Sequence, residues 1–550
     1  MALQHVHAVV VGAGAGGGVV AKELSTAGLS VVLLERGQWY SAADCRKDDL
    51  RNQRTAALGN AFGPDEERHP RVLVDARGAR IVTPSEGGYS NNAACVGGGT
   101  FSYGAMAWRY MEQDFRMRST YGAVHGSTLE DWPIGYSDLE PYYEKAEWEL
   151  GVSGDDTNNI FKAPRNRPLP MPPLPPGREH EILLPVAKRL GLHPFDIPML
   201  RNTVPYNGRR ACMRCRWCVG FACELSARTG THNTVIPAAL ATGNCQLRTG
   251  CIVKEILLDG RGHAMGVAYF DSRDRLQLQT ADLVIVCGGA IESARLLLNS
   301  RHKLFPNGLG NRCDWVGRNL QSHSYATAVG LFDYETYDDL GPGASIAICD
   351  YNHGNPGLVG GAMLANEFIR LPYQFLNQMP PWVAHWGPEH KEFVRNAFKR
   401  TIVVTGPVQE MPVFDARVQV DSSVKDHWGI PVARLSGSRH PHTVEVARYI
   451  AAKAEEWLRE AGAVNVWRRI PPASLSGGQH QAGTCRMGND PKTSVVNRDC
   501  QLHDVDNVYV IDASVHATNG GFNPVLTILA NAYRASASLL QAWKGSKVRS

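Results

Sequence analysis

The sequence predicts an α/β fold carrying an added α+β lobe: one domain built on parallel strands from separate stretches of chain, and a second built on an antiparallel sheet. Three observations predict it. His5 to Gly37 reads as strand, glycine-rich turn, helix and second strand. Ala281 to Asn299 repeats a strand–glycine–helix corner, and Val508 to about Trp543 adds a strand ending in Asp512 and a helix started by Pro524. From about Gly310 to Pro472 such corners vanish, and short β-prone runs surround one amphipathic helix.

The first stretch carries the most information. Val6 to Val11 is short, β-branched and bounded by glycine, as a buried parallel strand is. Gly12, Gly14 and Gly17 spell G-x-G-x-x-G, Val19 to Ala27 continue as a helix stopped near Gly28, and Val31 to Leu34 ends in Glu35. The first glycine makes the tight turn, the second lets backbone approach a pyrophosphate, and the third lets helix and strand pack closely. The helix N-terminus faces the phosphate charge. Glu35, 18 residues beyond Gly17, stands where an acid accepts hydrogen bonds from an adenosine ribose. This is a Rossmann-like dinucleotide site. The acid argues against NADP and leaves FAD and NAD open.

The remaining elements follow in order. Gly37 to Arg80 is polar and reads as a surface excursion returning near Ile81. Ala94 to Arg109 holds the run Gly97 to Gly99, either a flexible loop or a cradle of N–H groups for an anion, with Thr100 and Ser102 as hydroxyl donors. Trp132 to Glu144 reads as a turn entering a helix capped by Ser137, and residues 153 to 178 as a long loop. Leu247 to Asp271 alternates about a DGRG turn and predicts a hairpin. In the second lobe Thr401 to Thr405 and Val418 to Asp421 are β-prone, Lys425 to Gly429 is a turn, and Val446, Ile450, Ala454, Trp457 and Ala461 recur at helical spacing before Gly462. The expected division assigns residues 1–110, 205–309 and 473–550 to a discontinuous dinucleotide domain, and 111–204 with 310–472 to a substrate-binding or cap domain.

Composition excludes several classes. A net charge of +4 over 550 residues with no basic block does not indicate nucleic acid or an anionic membrane surface. No run approaches the roughly 18 consecutive apolar residues of a spanning helix. The apolar start enters the dinucleotide turn directly, so no signal peptide is expected. The default location is then cytoplasmic, with export on a partner's signal to the periplasm as the alternative. The 13 cysteines are odd in number and four crowd between Cys212 and Cys223, which reads as reduced thiols plus one local cluster.

Catalytic candidates gather near the C-terminus. Gly478 to Gly488 reads GQHQAGTCRMG and Gly520 to Asn531 reads GGFNPVLTILAN, with Asn523 as expected cap and Pro524 at the first helical position. A helix starting there aims its positive end at whatever precedes it. His480 sits in a loop beside glycine and threonine; on residue type alone His503 and His516 are equal contenders. Cys212, Cys215, Cys218 and Cys223 form C-x2-C-x2-C-x4-C, a spacing that suits an iron–sulfur cluster better than zinc, with buried free thiols as the other reading. Arg209, Arg210, Arg214 and Arg216 would offset its charge, while Glu224 stands where ferredoxins place proline.

Seven ordered motifs resemble the glucose–methanol–choline (GMC) oxidoreductases over nearly the whole chain: VGAGAGGG…LLERG, VGGGTFSYGAMAWR, DWPIGYSDLEPYYEKAE, GGAIESARLL, VGRNLQSH, HQAGTCRMG and VIDASVHATNGGFNPVLTI. CELSARTGTHNTVIPAAL and DPKTSVVNRDCQLHDVDNVYVIDAS are similar to the flavoprotein subunits of gluconate, glucose and fructose dehydrogenases and to glucoside 3-dehydrogenases. The resemblance implies FAD, with Gly12, Gly14, Gly17 and Glu35 on the adenosine diphosphate. Gly98, Thr100, Tyr103, Gly104 and Ala105 would lie near the flavin, Val253 near the adenine, and Asp512, Asn523 and Pro524 near the ribityl chain and pyrimidine edge. It implies His480 and Asn523 as the catalytic pair. Ser102 stands where some relatives attach FAD through histidine, so FAD is expected to be dissociable.

The expected reaction is oxidation of a secondary alcohol of a sugar, glycoside or aldonate to the keto product. His480 takes the hydroxyl proton, Asn523 donates to the same oxygen, and hydride passes to flavin N5. Electrons would leave to an acceptor other than oxygen, through a small subunit and a cytochrome. Related sugar dehydrogenases carry a three-iron cluster in the cysteine region. The alternatives are a pyranose-type oxidase making hydrogen peroxide, a non-redox lyase of the same fold, and an electron-transfer subunit with a vestigial pocket.

Overall fold

Ala8, Val9 and Val10 have no exposed surface, and they put Val6–Val11 at the middle of a parallel sheet covered on both faces. The computed structural model describes residues 5–45, 47, 48, 50, 62–90, 93–475 and 478–547. Val6–Val11 pairs on one side with Val31–Leu34, which pairs in turn with Cys245–Arg248. On the other side it pairs with the second half of Leu276–Val286, which also carries Val508–Val510. The first half of Leu276–Val286 leaves the parallel array. It joins Ala264–Phe270 and Ile252–Leu258 in an antiparallel meander, so the predicted hairpin and the predicted strand at Ala281 are one continuous element. Helices Ala15–Thr26, Gly289–Asn299 and Val525–Lys547 follow the strand ends that the glycines announce.

A second seven-stranded sheet is antiparallel throughout, in the order Asn465–Arg469, His323–Leu331, Thr401–Gln409, Leu364–Asn366, Ile346–Ile348, Phe195–Met199, Ser153–Asp155. Helix Pro441–Glu460 packs on it through Val446, Ile450, Ala454 and Trp457, all fully buried, at the predicted spacing. The Trp457 indole donates to Leu183 O at 3.1 Å.

Two expectations change. The polar stretch before Ile81 contains the hairpin Arg71–Asp75 and Gly78–Val82 (residues 51–61 of that stretch lie outside those described). Its partner is Pro431–Ser436, some 350 residues away, which local polarity does not disclose. This third sheet therefore ties residues assigned to the dinucleotide domain to residues assigned to the cap domain. The helix after Trp132 is Tyr136–Leu150, and Asp138, not Ser137, satisfies its first turn by accepting Gly135 N–H at 2.8 Å.

That helix carries Glu147, which has no exposed side chain and holds two arginines. Arg109 donates to both its oxygens at 2.8 and 2.7 Å, and Arg165 to one at 2.7 Å. Removing the shared carboxylate leaves Arg109 only Glu140 and Arg165 only Asp156 as acidic partners, and breaking a buried pair costs about 3–5 kcal/mol. Glu147→Ala is expected to lower the unfolding free energy, read from denaturant titration, by about that much without changing the residues of the cavity described next. A loss under about 1 kcal/mol would contradict this account.

Candidate active site

Four of the five parallel strands end together at one edge of their sheet, the crevice where open α/β sheets bind ligands. Gly12, Glu35, Cys287 with Gly288, and Asp512 follow those ends and line one side of a cavity of about 690 Å³. Gly12 has φ +102°, and a Cβ there would lie 2.5 Å from Cys287 O. A Cβ on Gly17 would lie 1.9 Å from Gly12 O, so helix and turn touch through bare backbone. A Cβ on Gly14 would meet nothing within 4 Å: at this position the backbone opens onto the cavity. Glu35 is 6% exposed, and its carboxylate accepts Ala13 N–H and Gly37 N–H, both at 2.9 Å. Burial raises its pKa against those bonds. The roles expected of the three glycines thus have three separate geometries here, and the turn fits a pyrophosphate.

Val253 lines the cavity from the strand Ile252–Leu258, and Gly98, Thr100, Tyr103, Gly104 and Ala105 line it from the second glycine-rich stretch. Gly98 approaches the first turn closely, its Cβ position 3.0 Å from Gly14 Cα. Thr100 is not a free donor as expected. Its hydroxyl donates to Gly97 O at 2.6 Å and accepts Thr231 N–H at 3.1 Å, which locks the turn. Asp512 likewise spends its carboxylate within the protein, on Gly289 N–H, Ser514 N–H and the Ser293 hydroxyl.

The far end of the same cavity contains His480, Asn523, Pro524 and Tyr325. The Tyr325 hydroxyl lies 3.5 Å from His480 Nδ1 and 3.4 Å from Asn523 Nδ2, so imidazole and carboxamide flank one oxygen. Asn523 does not cap the last helix. Its Oδ1 accepts the indole N–H of buried Trp108 at 3.1 Å; an indole can only donate, so the Nδ2 donors turn toward Tyr325. Burial, with His323 adding, pushes His480 well below the usual imidazole pKa, so the ring is neutral near pH 7. His323 Nδ1 stands 2.8 Å from His480 Nδ1. His516 is fully buried beside Trp132, and His503 bonds Ser494; neither reaches the cavity. Residue type could not separate the three histidines, and position does. Trp108, Tyr325 and His323 escaped the sequence reading, since their only signal was membership of the quoted motifs and the strand after VGRNLQSH.

The cysteine loop lies behind Tyr103. Arg201, 2% exposed, puts Nη1 3.5 Å from Cys212 Sγ and 3.6 Å from Cys218 Sγ, and Arg228 N–H donates to Cys223 Sγ at 3.5 Å. A hydrogen bond from Cys218 pulls the Cys215 thiol down to about 6. Among the described residues no three His, Cys, Asp or Glu side chains converge as a single metal ion requires, and no carboxylate pairs with Arg201 or Arg228. Nε of both arginines and Nη2 of Arg201 are buried without a partner. Two buried cations, orphaned N–H groups and four sulfurs fit an anionic sulfur centre.

Family models described as GMC oxidoreductase match residues 173–325 and 412–532. The chain is 32% identical to 2-methyl-1,2-propanediol dehydrogenase of Mycolicibacterium austroafricanum, over 96% of this chain and 94% of that one. It is 30% identical to 6'''-hydroxyparomomycin C oxidase of Streptomyces lividus (96% and 90%) and 26% identical to the gluconate 2-dehydrogenase flavoprotein of Pantoea cypripedii (98% and 94%). Among solved structures, a pyridoxine 4-oxidase shares the fold with a TM-score of 0.62 at 16% identity, over 97% of this chain and 98% of that one. The chain belongs to the GMC oxidoreductase family. It is an FAD-dependent oxidoreductase that acts on the CH–OH group of alcohol or sugar-like substrates.

The glycine geometry separates folding from cofactor binding. Gly14→Ala is expected to yield folded protein that has lost its yellow flavin absorbance, because the added methyl fills space left for phosphate. Gly17→Ala is expected to lower the melting temperature of the apoprotein itself. Full flavin content in Gly14→Ala would refute the assignment of that opening.

Proposed function

We propose that this enzyme oxidises a secondary alcohol of a sugar, glycoside or aldonate to the ketone and delivers the electrons to an acceptor other than oxygen. The observation that carries the reading is that the neutral imidazole of His480 and the oriented carboxamide of Asn523 stand together at one end of the cavity, each close to the Tyr325 hydroxyl. In the reaction His480 accepts the substrate's hydroxyl proton, for which burial keeps it unprotonated. Asn523 Nδ2 donates to the same oxygen as negative charge develops there, and Trp108 prevents the amide from turning its oxygen to the substrate. FAD, dissociable because Ser102 offers no imidazole for attachment, supplies the two-electron acceptor for the carbon-bound hydrogen. Thr327, Thr405, Asn366 and Glu367 line the cavity wall from the antiparallel sheet, a polar surface suited to a polyhydroxylated substrate.

A second reading, a pyranose-type sugar or glycoside oxidase that makes hydrogen peroxide, is favoured by the likeness to the 6'''-hydroxyparomomycin C oxidase. The discriminating experiment is anaerobic mixing of the holoenzyme with D-glucose, D-gluconate, methyl β-D-glucopyranoside and paromamine, followed by admission of air. Bleaching of the flavin that air does not rapidly reverse supports the dehydrogenase, and rapid reversal with peroxide supports the oxidase. Absence of bleaching by any of the four counts against both. His480→Ala is expected to keep FAD while slowing bleaching by about 10²-fold or more. Because the imidazole must be neutral and its pKa is depressed, the wild-type rate should stay level from pH 8 to about 6.5 and fall only at lower pH. A rate already halved at pH 6.5 would show an unperturbed histidine.

For electron exit we propose an iron–sulfur cluster on Cys212, Cys215, Cys218 and Cys223, supported by the unpaired charge of Arg201 and Arg228. The four thiolates would hold it, and it would supply a one-electron route toward a small subunit or cytochrome. Iron and acid-labile sulfide in anaerobically purified protein are the expected result; absence of both removes the cluster and leaves the oxidation chemistry untouched.

A further inference from the structure

His323 ends a hydrogen-bonded chain that runs into the proton acceptor, and the chain has a definite direction. The ring is 2% exposed, at the start of the strand His323–Leu331. Its Nε2 lies 2.7 Å from Gly520 O, and its Nδ1 lies 2.8 Å from Nδ1 of His480. A carbonyl oxygen only accepts, so Nε2 of His323 carries the hydrogen. Burial pushes this imidazole down to about 4, with Glu410 and Asp114 pulling the other way, so near neutral pH the ring holds one proton. Its Nδ1 is then a bare acceptor, and the nitrogen facing it must donate.

We propose that His323 is a positioning residue that holds His480 in the Nδ1–H tautomer and so leaves the Nε2 lone pair of His480 for the substrate. The proposal rests on the reading of His480 as proton acceptor. Among the described residues His480 Nε2 has no hydrogen-bond partner, and His480 lines the cavity. The opposite arrangement, with the Tyr325 hydroxyl donating to His480 Nδ1 over 3.5 Å, would require His323 to donate from both nitrogens. That makes it a cation in a buried site.

The backbone serves the same pairing. His480 has φ +69°, in the region side chains rarely adopt, and its carbonyl accepts Asn519 Nδ2 at 2.9 Å. The loop is laced to the chain around His323: Gln321 N–H and Ala482 O are 3.0 Å apart, and His323 N–H and Gln479 O 3.2 Å. The strand that supplies His323 therefore also sets where the His480 ring stands.

Two conservative replacements separate positioning from structural support. In His323→Asn the amide oxygen can take the place of Nδ1 and still accept from His480, while the bond to Gly520 is lost. In His323→Gln the amide nitrogen can still donate to Gly520 O, while the acceptor facing His480 is lost. The measurements are anaerobic flavin bleaching with whichever of the four probes above reduces the wild type, and carbethoxylation of His480 by diethyl pyrocarbonate at pH 7, located by peptide mass spectrometry. The reagent attacks a free imidazole lone pair and needs no turnover.

The expected result is that His323→Gln bleaches about 10²-fold more slowly at saturating probe with KM little changed, and that its His480 is modified markedly more slowly. His323→Asn should stay within about tenfold of wild type in both measurements. Equal behaviour of the two variants, or a more damaged His323→Asn, would overturn the proposal. If either variant loses flavin or melts early, the modification rate in the other against wild type still decides. Unimpaired bleaching by His480→Ala would instead overturn the underlying reading, whatever the His323 variants do.

Discussion

The parallel register of Val6–Val11, Val31–Leu34, Leu276–Val286 and Val508–Val510 is the constraint on which the rest depends. It lines up four strand ends so that Gly12, Glu35, Gly288 and Asp512 meet at one crevice, although they come from opposite ends of the chain. Shifting one strand by a residue would turn its buried face outward and carry its terminal residue out of the site. Bare backbone contacts hold the arrangement. Gly17 rests on Gly12 O, and Gly16 comes so near Ile511 that a Cβ would lie 2.1 Å from its carbonyl oxygen. The N-terminal turn and the strand end before Asp512 are therefore held in direct backbone contact beside the cavity.

Burial does the electrostatic work at both ends. His480 and His323 are kept neutral in a desolvated site, so each ring offers one N–H and one lone pair. Behind Tyr103, burial opposes the charge on Arg201, and the sulfurs of Cys218, Cys212 and Cys223 more than offset it. Arg228 is drawn down in the same pocket. One desolvated interior thus suppresses charge on both histidines and, a short way beyond, sets the Arg201 guanidinium against the sulfurs of Cys212 and Cys218.

The two sheets divide the labour. The parallel sheet presents backbone, with glycine openings and strand ends. The antiparallel sheet presents side chains, with Tyr325 and Thr327 on one strand, Asn366 on another and Thr405 on a third. His480 and Asn523 lie on loops between them. Among the described residues no helix is long and apolar enough to cross a membrane.

Much of the site was legible in the sequence because its parts are local. A G-x-G-x-x-G turn needs its glycines at fixed spacing, an amphipathic helix repeats on its own period, and a strand buried on both faces is apolar throughout. What was not legible depends on partners remote in sequence. Arg71–Asp75 has a local partner in Gly78–Val82 but joins a larger sheet only through Pro431–Ser436, and the cap expected at Ser137 falls instead to Asp138, which a backbone N–H selects. His480, His503 and His516 are the same residue type in similar surroundings; tertiary structure alone exposes the first to the cavity and buries or engages the other two. The sequence by itself determined the dinucleotide fold, since close backbone contact admits only glycine at set positions. Only the tertiary structure decided which histidine reaches the cavity and which of its nitrogens is engaged within the protein, because that rests on His323, 157 residues away, and on the carbonyl of Gly520.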